Sequence, residues 1–328
     1  MSNQRSAVRR PGVDSTSIHA EQAIRQGSKS FAAAARLFDP ATRDSAVKLY
    51  AWCRHCDDVI DGQSLGHGQV EGDRGDGAAR IAELRALTRA ACRGDPMTHP
   101  AFVGLQEIVR THGIPEHYLM EHLAGFAMDV DPDVRYESID DTLRYAWRVA
   151  GVVGVMMALL MGTRGGDAVP ASVLDRACDL GVAFQFTNIA RDIVEDACIG
   201  RVYLPAQWLR EAGLPVGDPA ALARREHRAA LATVAARLVE AAEPYYRSSM
   251  TGIATLPIRS AWSIATARGV YRHIGHLVRE RGARAWDQRA ATSRWDKLRF
   301  VARGGMVALL SRALPPRSRA PQLWRRPV

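Results

Sequence analysis

Residues 50–61 read YAWCRHCDDVID, a stretch that crowds three aspartates into five positions behind an arginine and a histidine. On a helix at 100° per residue, Tyr50, Arg54, Asp57 and Asp61 fall within about 60° of one another. Asp58 stands to one side, and Leu49, Cys53 and Ile60 form an apolar flank. Asp57 and Asp61 are neighbours one turn apart, with carboxylates roughly 6 Å apart along the axis. Like charges at that spacing repel unless a cation lies between them.

A second segment repeats the pattern. In GVAFQFTNIARDIVEDACIGRVYLP, which starts at Gly181, the residues Gly181, Gln185, Asn188, Asp192 and Asp196 share one helix face beside Val182, Phe186, Ile189 and Ile193. One acidic pair alone is most simply a solvated face. Two pairs, each beside apolar residues and accompanied by Arg, Asn and Gln, make poor core and poor surface. Mg²⁺ prefers carboxylate oxygens, keeps several waters and accepts phosphate oxygens, so facing carboxylate helices suit a diphosphate held through metal ions. That chemistry fits ionisation of an allylic diphosphate, in which cations stabilise the leaving group and a dry cavity shields the carbocation.

The elements that must position these residues are helices. Apolar residues recur at helical spacing nearly everywhere and strand-like alternation is scarce, which predicts an all-α chain. Candidate helices run over 17–36, 40–62, 78–93, 100–112, 115–129, 139–163, 170–197, 205–212, 219–250, 256–281 and 294–313. Gly/Pro/Asp clusters such as GHGQVEGDRGDG (66–77) and TRGGDAVP (163–170) mark connections. The run VAGVVGVMMALLMG (149–162) is too short by itself for a membrane span. Its Gly151, Gly154, Ala158 and Gly162 present one face of small side chains, which suits either a cavity wall or close helix packing.

The 328 residues, 47% hydrophobic and 24% charged, are ordinary globular composition, and no Pro/Ser/Gly-rich linker divides the middle. We expect a flexible N-terminus (1–16), one all-α domain (17–313) and a basic C-terminal tail (314–328). Residues 1–20 contain no apolar stretch, so no secretion signal is expected. Five cysteines with a single C-x-x-C, Cys53 and Cys56, point to reduced thiols instead of zinc. These features predict a cytoplasmic protein. The net charge of +9 is concentrated late, since 297–328 holds basic residues and no acidic one. This predicts either a solvated tail or peripheral contact with an anionic inner membrane face, RFVARGGMVALLSRAL (299–314) being the candidate. Nucleic acid is not expected, because stacking aromatics do not alternate with the basic residues. Asp129, Asp131 and Asp133 look like the start of a calcium loop, but Val134 stands where glycine is needed and Asp140 where glutamate is, so they are read as ordinary. His55 is read as a flanking residue.

From about Gly27 to about Phe300 the chain resembles the squalene and phytoene synthase family of head-to-head prenyl transferases. The resemblance rests on GSKSF (27–31), YAWCRHCDDVID (50–61), RYAWRVAGVVG (144–154) and QFTNIARDIVEDACIGRVYLP (185–205). It implies the isoprenoid-synthase helical fold around a central cavity. It further implies that Asp57, Asp61, Asn188, Asp192 and Asp196 bind Mg²⁺, with Mn²⁺ able to substitute. Ser28, Ser30, Arg54 and Arg191 would contact diphosphate. Tyr50, Tyr145 and Tyr271 match cavity tyrosines that steady cations or bind diphosphate, Gln185 would sit near the reacting carbons, and Arg284 matches a late diphosphate-binding arginine. The implied reaction joins two geranylgeranyl diphosphates through prephytoene diphosphate to phytoene without NADPH. Its alternatives are a C30 squalene-type product from farnesyl diphosphate, or a non-catalytic helical relative. Where the family commonly has Tyr-Cys-x-x-Val-Ala-Gly, this chain has Ala146 and Trp147 after Tyr145, and Trp147 is expected to narrow the pocket.

Overall fold

The computed structural model describes residues 11–27, 29–62 and 77–327. Among them every regular element is a helix. In chain order these are α1 (Pro11–Gly27), α2 (Lys29–Ala35), α3 (Pro40–Asp61), α4 (Gly77–Arg93), α5 (Pro100–His112), α6 (Glu116–Val130) and α7 (Ile139–Ala146). A π turn (Trp147–Gly151) leads into α8 (Val152–Met161), followed by α9 (Ala171–Cys198), α10 (Ala206–Glu211), α11 (Pro219–Leu222), α12 (Arg228–Ile253), α13 (Ile258–Arg281) and α14 (Arg294–Leu310).

The two acidic segments lie on α3 and α9. Asp39 caps α3 by accepting from the Thr42 amide at 3.0 Å, Pro40 opens its first turn, and Gly62 ends it with φ 62°. These signals fix the register of the Asp57–Asp61 face. The 28-residue α9 is the central element, packed against α8, α12, α13 and the π turn. Backbone approach around it is close. A Cβ on Gly181 would lie 2.2 Å from the Ala150 carbonyl oxygen, and one on Gly154 would lie 2.3 Å from that of Ala177. A smaller apolar cluster, which includes Ala20, Ile24, Phe38, Ile253, Leu256 and Ala308, joins α1, α3, α12 and α14.

Three sequence expectations need correction. The predicted 17–36 helix is two, α1 and α2, and α1 begins at Pro11 inside the stretch expected to be flexible. The predicted 219–250 helix is α11, a 3₁₀ turn (Arg225–His227) and α12. The helix expected over 139–163 is present as a continuous helical stretch, Ile139–Met161, that is long and apolar enough to cross a membrane by length and composition alone. Here it sits in the core against α6 and α9. The segment 314–328, set apart as a basic tail, is docked on the domain over its described part. Arg319 pairs with the buried Asp179 at 2.7 Å, Arg326 with Asp175 at 2.7 Å, and Trp324 packs on Trp147 with ring centroids 5.9 Å apart. The buried carboxylate demands a partner, and the tail's arginine supplies it. The connection expected at 66–77 lies outside the described residues up to Gly77, where α4 begins.

Candidate active site

A cavity of about 310 Å³ runs between α1, α3, α8, α9, α12 and α13. Its far end is apolar, with Ile24, Phe38, Met161, Ile253 and Leu256 in the wall. Its near end carries Tyr50, Cys53, Gln185 and Asn188, about one turn before the carboxylates of α3 and α9. Gly154 and Ala158 line it too, so the small-residue face serves both as cavity wall and, through Gly154, as close contact with α9. Between the two ends stands an aromatic group. Tyr271 stacks on Phe184 at 4.4 Å and on Phe31 at 5.2 Å, and Phe31 meets Tyr50 edge-on at 6.4 Å. Such π faces attract a cation in a dry site.

At the near end, α3, α6 and α9 bring their carboxylates to one region. Arg54 bridges Asp57 at 2.9 Å and Asp58 at 2.8 Å. Arg201, just after α9, donates to Asp61 on α3 at 2.5 Å, and its amide donates to the Asp196 carbonyl at 2.8 Å. This arginine therefore links the two acidic helices. Asp192 receives Arg191 at 2.7 and 2.5 Å and Arg289 at 3.1 and 2.8 Å. Asp129, at the end of α6, accepts from the Tyr145 hydroxyl at 3.2 Å and the Tyr203 hydroxyl at 2.8 Å. Those two tyrosine rings stack at 4.4 Å.

The charges are unevenly matched. Burial, reinforced by Asp61, pushes Asp57 up to about 7, and burial with Asp192 pushes Asp196 up to about 7. Burial raises Asp129 to about 6 against the pull of Arg201 and the two tyrosine hydroxyls. For Asp192 burial acts upward, but Arg191 and Arg289 together outweigh it and hold the carboxyl below its ordinary value.

The arrangement suits a hard divalent cation. Burial and a neighbouring carboxylate raise Asp57, despite its contact with Arg54, and Asp196, and a bound cation would relieve both. The Asn188 side-chain oxygen is buried with no hydrogen-bond partner, while its amide donates to Gln185 at 3.3 Å. The donors are all oxygen, as Mg²⁺ requires. Among the described residues no three acidic, His or Cys side chains gather as a ready-made metal centre. Each ion would thus take one or two carboxylates and complete its shell with water and diphosphate oxygens.

Sequence reasoning and structure differ in several places. Asp57, Asp61, Asn188, Asp192, Asp196, Tyr50, Arg54, Gln185, Arg191, Tyr145 and Tyr271 all lie at or beside this end of the cavity. Ser28 lies outside the described residues, and of Ser30 only the backbone is described, in α2. Arg284 sits in a 3₁₀ turn and makes no ion pair with the carboxylates; Arg289, five residues on, is the late arginine that does. Trp147 does not narrow the pocket, because its ring is buried against Trp324 and its N–H donates to Glu121 at 3.3 Å. Asp129 belongs to the acidic cluster. The failed calcium pattern concealed it, although its position at the end of an amphipathic helix was a usable signal. Arg201 and Tyr203 stood within the GRVYLP motif without an assigned role, and Arg289 had no signal of its own.

A helical chain whose apolar cavity ends in two facing acidic helices is built to hold a hydrocarbon by its tail and a diphosphate by its head. Residues 24–296 match the squalene/phytoene synthase family model, and the chain belongs to that family. Its members act on prenyl diphosphates and generally depend on divalent metal. The chain is 53% identical over 312 residues to a phytoene synthase of Pseudescherichia vulneris, covering 94% of this chain and 97% of the relative. It is 50% identical over 310 residues to the 15-cis-phytoene synthase of Pantoea ananas, covering 94% and 97%. Among solved structures it resembles a dehydrosqualene synthase (TM-score 0.76, 24% identity, 89% of this chain and 96% of that chain). It also resembles the squalene synthase HpnC of Alicyclobacillus acidocaldarius (TM-score 0.68, 20% identity, 82% and 94%). These structural likenesses establish the shared helical fold.

Proposed function

We infer that the protein is an Mg²⁺-dependent prenyltransferase that condenses two geranylgeranyl diphosphates head to head, through prephytoene diphosphate, to 15-cis-phytoene in carotenoid biosynthesis. The observation that carries this is the pair of acidic helices, linked through Arg201 and Asp61, at one end of an apolar cavity. The choice of the C40 over the C30 reaction is supported by near-full-length relatives named phytoene synthase.

Bound Mg²⁺ would supply Lewis-acid stabilisation of the departing diphosphate. The residues that would hold it are Asp57, Asp61, Asn188, Asp192 and Asp196. Arg54, Arg191 and Arg289 are already fixed beside those carboxylates and are placed to take up phosphate charge. When the C1–O bond of the first substrate breaks, the aromatic group around Tyr271 and Phe184 faces the cation, and the apolar wall excludes water. The double bond of the second substrate attacks, and proton loss closes the cyclopropane. A second ionisation, rearrangement and proton loss give the triene. Two diphosphates and two protons leave, so the balance requires no reductant.

Metal-stripped protein should regain turnover with Mg²⁺, and Asp57→Ala or Asp192→Ala should lower it by at least about a thousandfold with helical circular dichroism unchanged. Turnover retained in either variant would refute the assignment. We also propose a cytoplasmic location with peripheral contact to the inner membrane face, where so apolar a product must be delivered.

A further inference from the structure

The outward face of α14 is apolar where a solvated helix should be polar. Trp295, Leu298, Met306, Leu309 and Leu310 are each between 60 and 80% exposed. At 100° per residue they form one stripe about 120° wide. The stripe lies opposite the face on which Phe300, Gly304 and Ala308 are buried. Leu314, 62% exposed, extends the apolar surface past the helix end. Gly304 and Gly305, which look unfavourable for a surface helix, serve the inner side. A Cβ on Gly304 would meet Thr266 Oγ1 at 2.3 Å, so the glycine lets α14 lie close on α13.

Charge and position identify the occupant. Arg303 borders the stripe and the exposed Arg299 lies within it between Met306 and Leu310, its long stem able to carry the charge up to the headgroups, while the helix's one acidic residue, Asp296, is engaged with Ser293 at the N-cap and with Arg299 at 3.6 Å. The docked segment beyond it turns Arg319 and Arg326 inward to Asp179 and Asp175, which leaves Arg317 and Arg325 exposed at the chain end beside the exposed Arg294, Arg299 and Arg303 of α14. On the inner side, Ala308 packs in the same cluster as Ile24, Phe38, Ile253 and Leu256, which wall the far, apolar end of the cavity. The exposed stripe therefore covers the end of the cavity that would hold hydrocarbon.

We propose that the Trp295–Leu314 face of α14 lies on the headgroup boundary of an anionic bilayer, placing the hydrocarbon end of the cavity beside the lipid that receives the product. The stripe inserts among acyl chains while Arg299 and Arg303 meet lipid phosphates. The exit direction rests on the hydrocarbon product inferred above; the docking surface does not.

The test is sedimentation of the full chain with vesicles of phosphatidylcholine containing about 30% phosphatidylglycerol, alongside Trp emission and the oligomeric state without lipid. The expected result is binding with a blue shift, reduced at least about tenfold in Leu298→Glu/Leu309→Glu. Arg299→Gln/Arg303→Gln should weaken binding and reduce its salt dependence. Both double variants should keep wild-type turnover of detergent-dispersed substrate, which reports an intact fold and keeps failure of docking separate from failure of the enzymatic reading. Binding unchanged in the leucine variant would overturn the proposal. So would a lipid-free dimer that the leucine variant dissociates, since the face would then be an interface between copies.

Discussion

Asp57 and Asp196 keep protons to near-neutral pH because each is buried beside a second carboxylate. A carboxyl whose value is raised on folding makes the native chain bind more protons than the unfolded chain, from about pH 4 up to the raised value. Metal-free stability should therefore fall as pH rises through that window, most steeply in its middle, and level off above about 7. Asp192 acts in the opposite sense: Arg191 and Arg289 hold it low, and its contribution is lost only in acid. Thermal melts should show a lower Tm at about pH 8 than at about pH 5.5 without metal, and a larger gain from Mg²⁺ at the higher pH. A metal-free Tm that rises steadily across this range would contradict the electrostatic picture. The paired aspartates were legible in the sequence because i,i+4 spacing is a one-helix property. Arg201 and Arg289 were not, because they reach the site from outside the two acidic helices, and only tertiary packing brings Arg201 to Asp61 across the gap between α9 and α3.

At the scale of elements, the site depends on how closely α9 lies against the π turn and α8. The Gly181 position leaves no room for a methyl group beside the Ala150 carbonyl, and rigid backbone cannot yield as a flexible side chain would. Gly181→Ala should cost about 1–3 kcal/mol and lower turnover by shifting Gln185 and Asn188, measurable by denaturant unfolding and steady-state rate. Unchanged stability would show that α9 is free to move. Helix positions were readable from periodicity, caps and glycines. The division at 219–227 was missed because Asp218 and Pro219 start a helix, and the break comes from the extended backbone of Arg224 (φ −65°, ψ 149°) ahead of the 3₁₀ turn, which no breaker residue announces. The π turn was invisible because it keeps helical periodicity nearly intact while adding one residue to a turn.

At the scale of the molecule, the C-terminal segment completes the fold. Asp179, at 1% side-chain exposure, has Arg319 as its charged partner and also accepts from Ser248. Removing one member of such a pair leaves a buried charge, so Arg319→Ala should destabilise the protein by about 3–5 kcal/mol, read from the midpoint of urea unfolding. A change no larger than that of an exposed arginine would place the segment outside the cooperative unit. Composition alone suggested the reverse, a solvated basic tail, because a run of arginines reveals its charge but not the buried Asp179 awaiting it. The cavity unites these scales, with its apolar far end toward α1 and α14, aromatic rings between, and the carboxylates at its near end. Purified protein should therefore be incubated with Mg²⁺ and either geranylgeranyl or farnesyl diphosphate, without NADPH, and the extracted hydrocarbons identified. The account predicts phytoene from geranylgeranyl diphosphate as the main product; a product formed from farnesyl diphosphate alone, or none from either substrate, would contradict it.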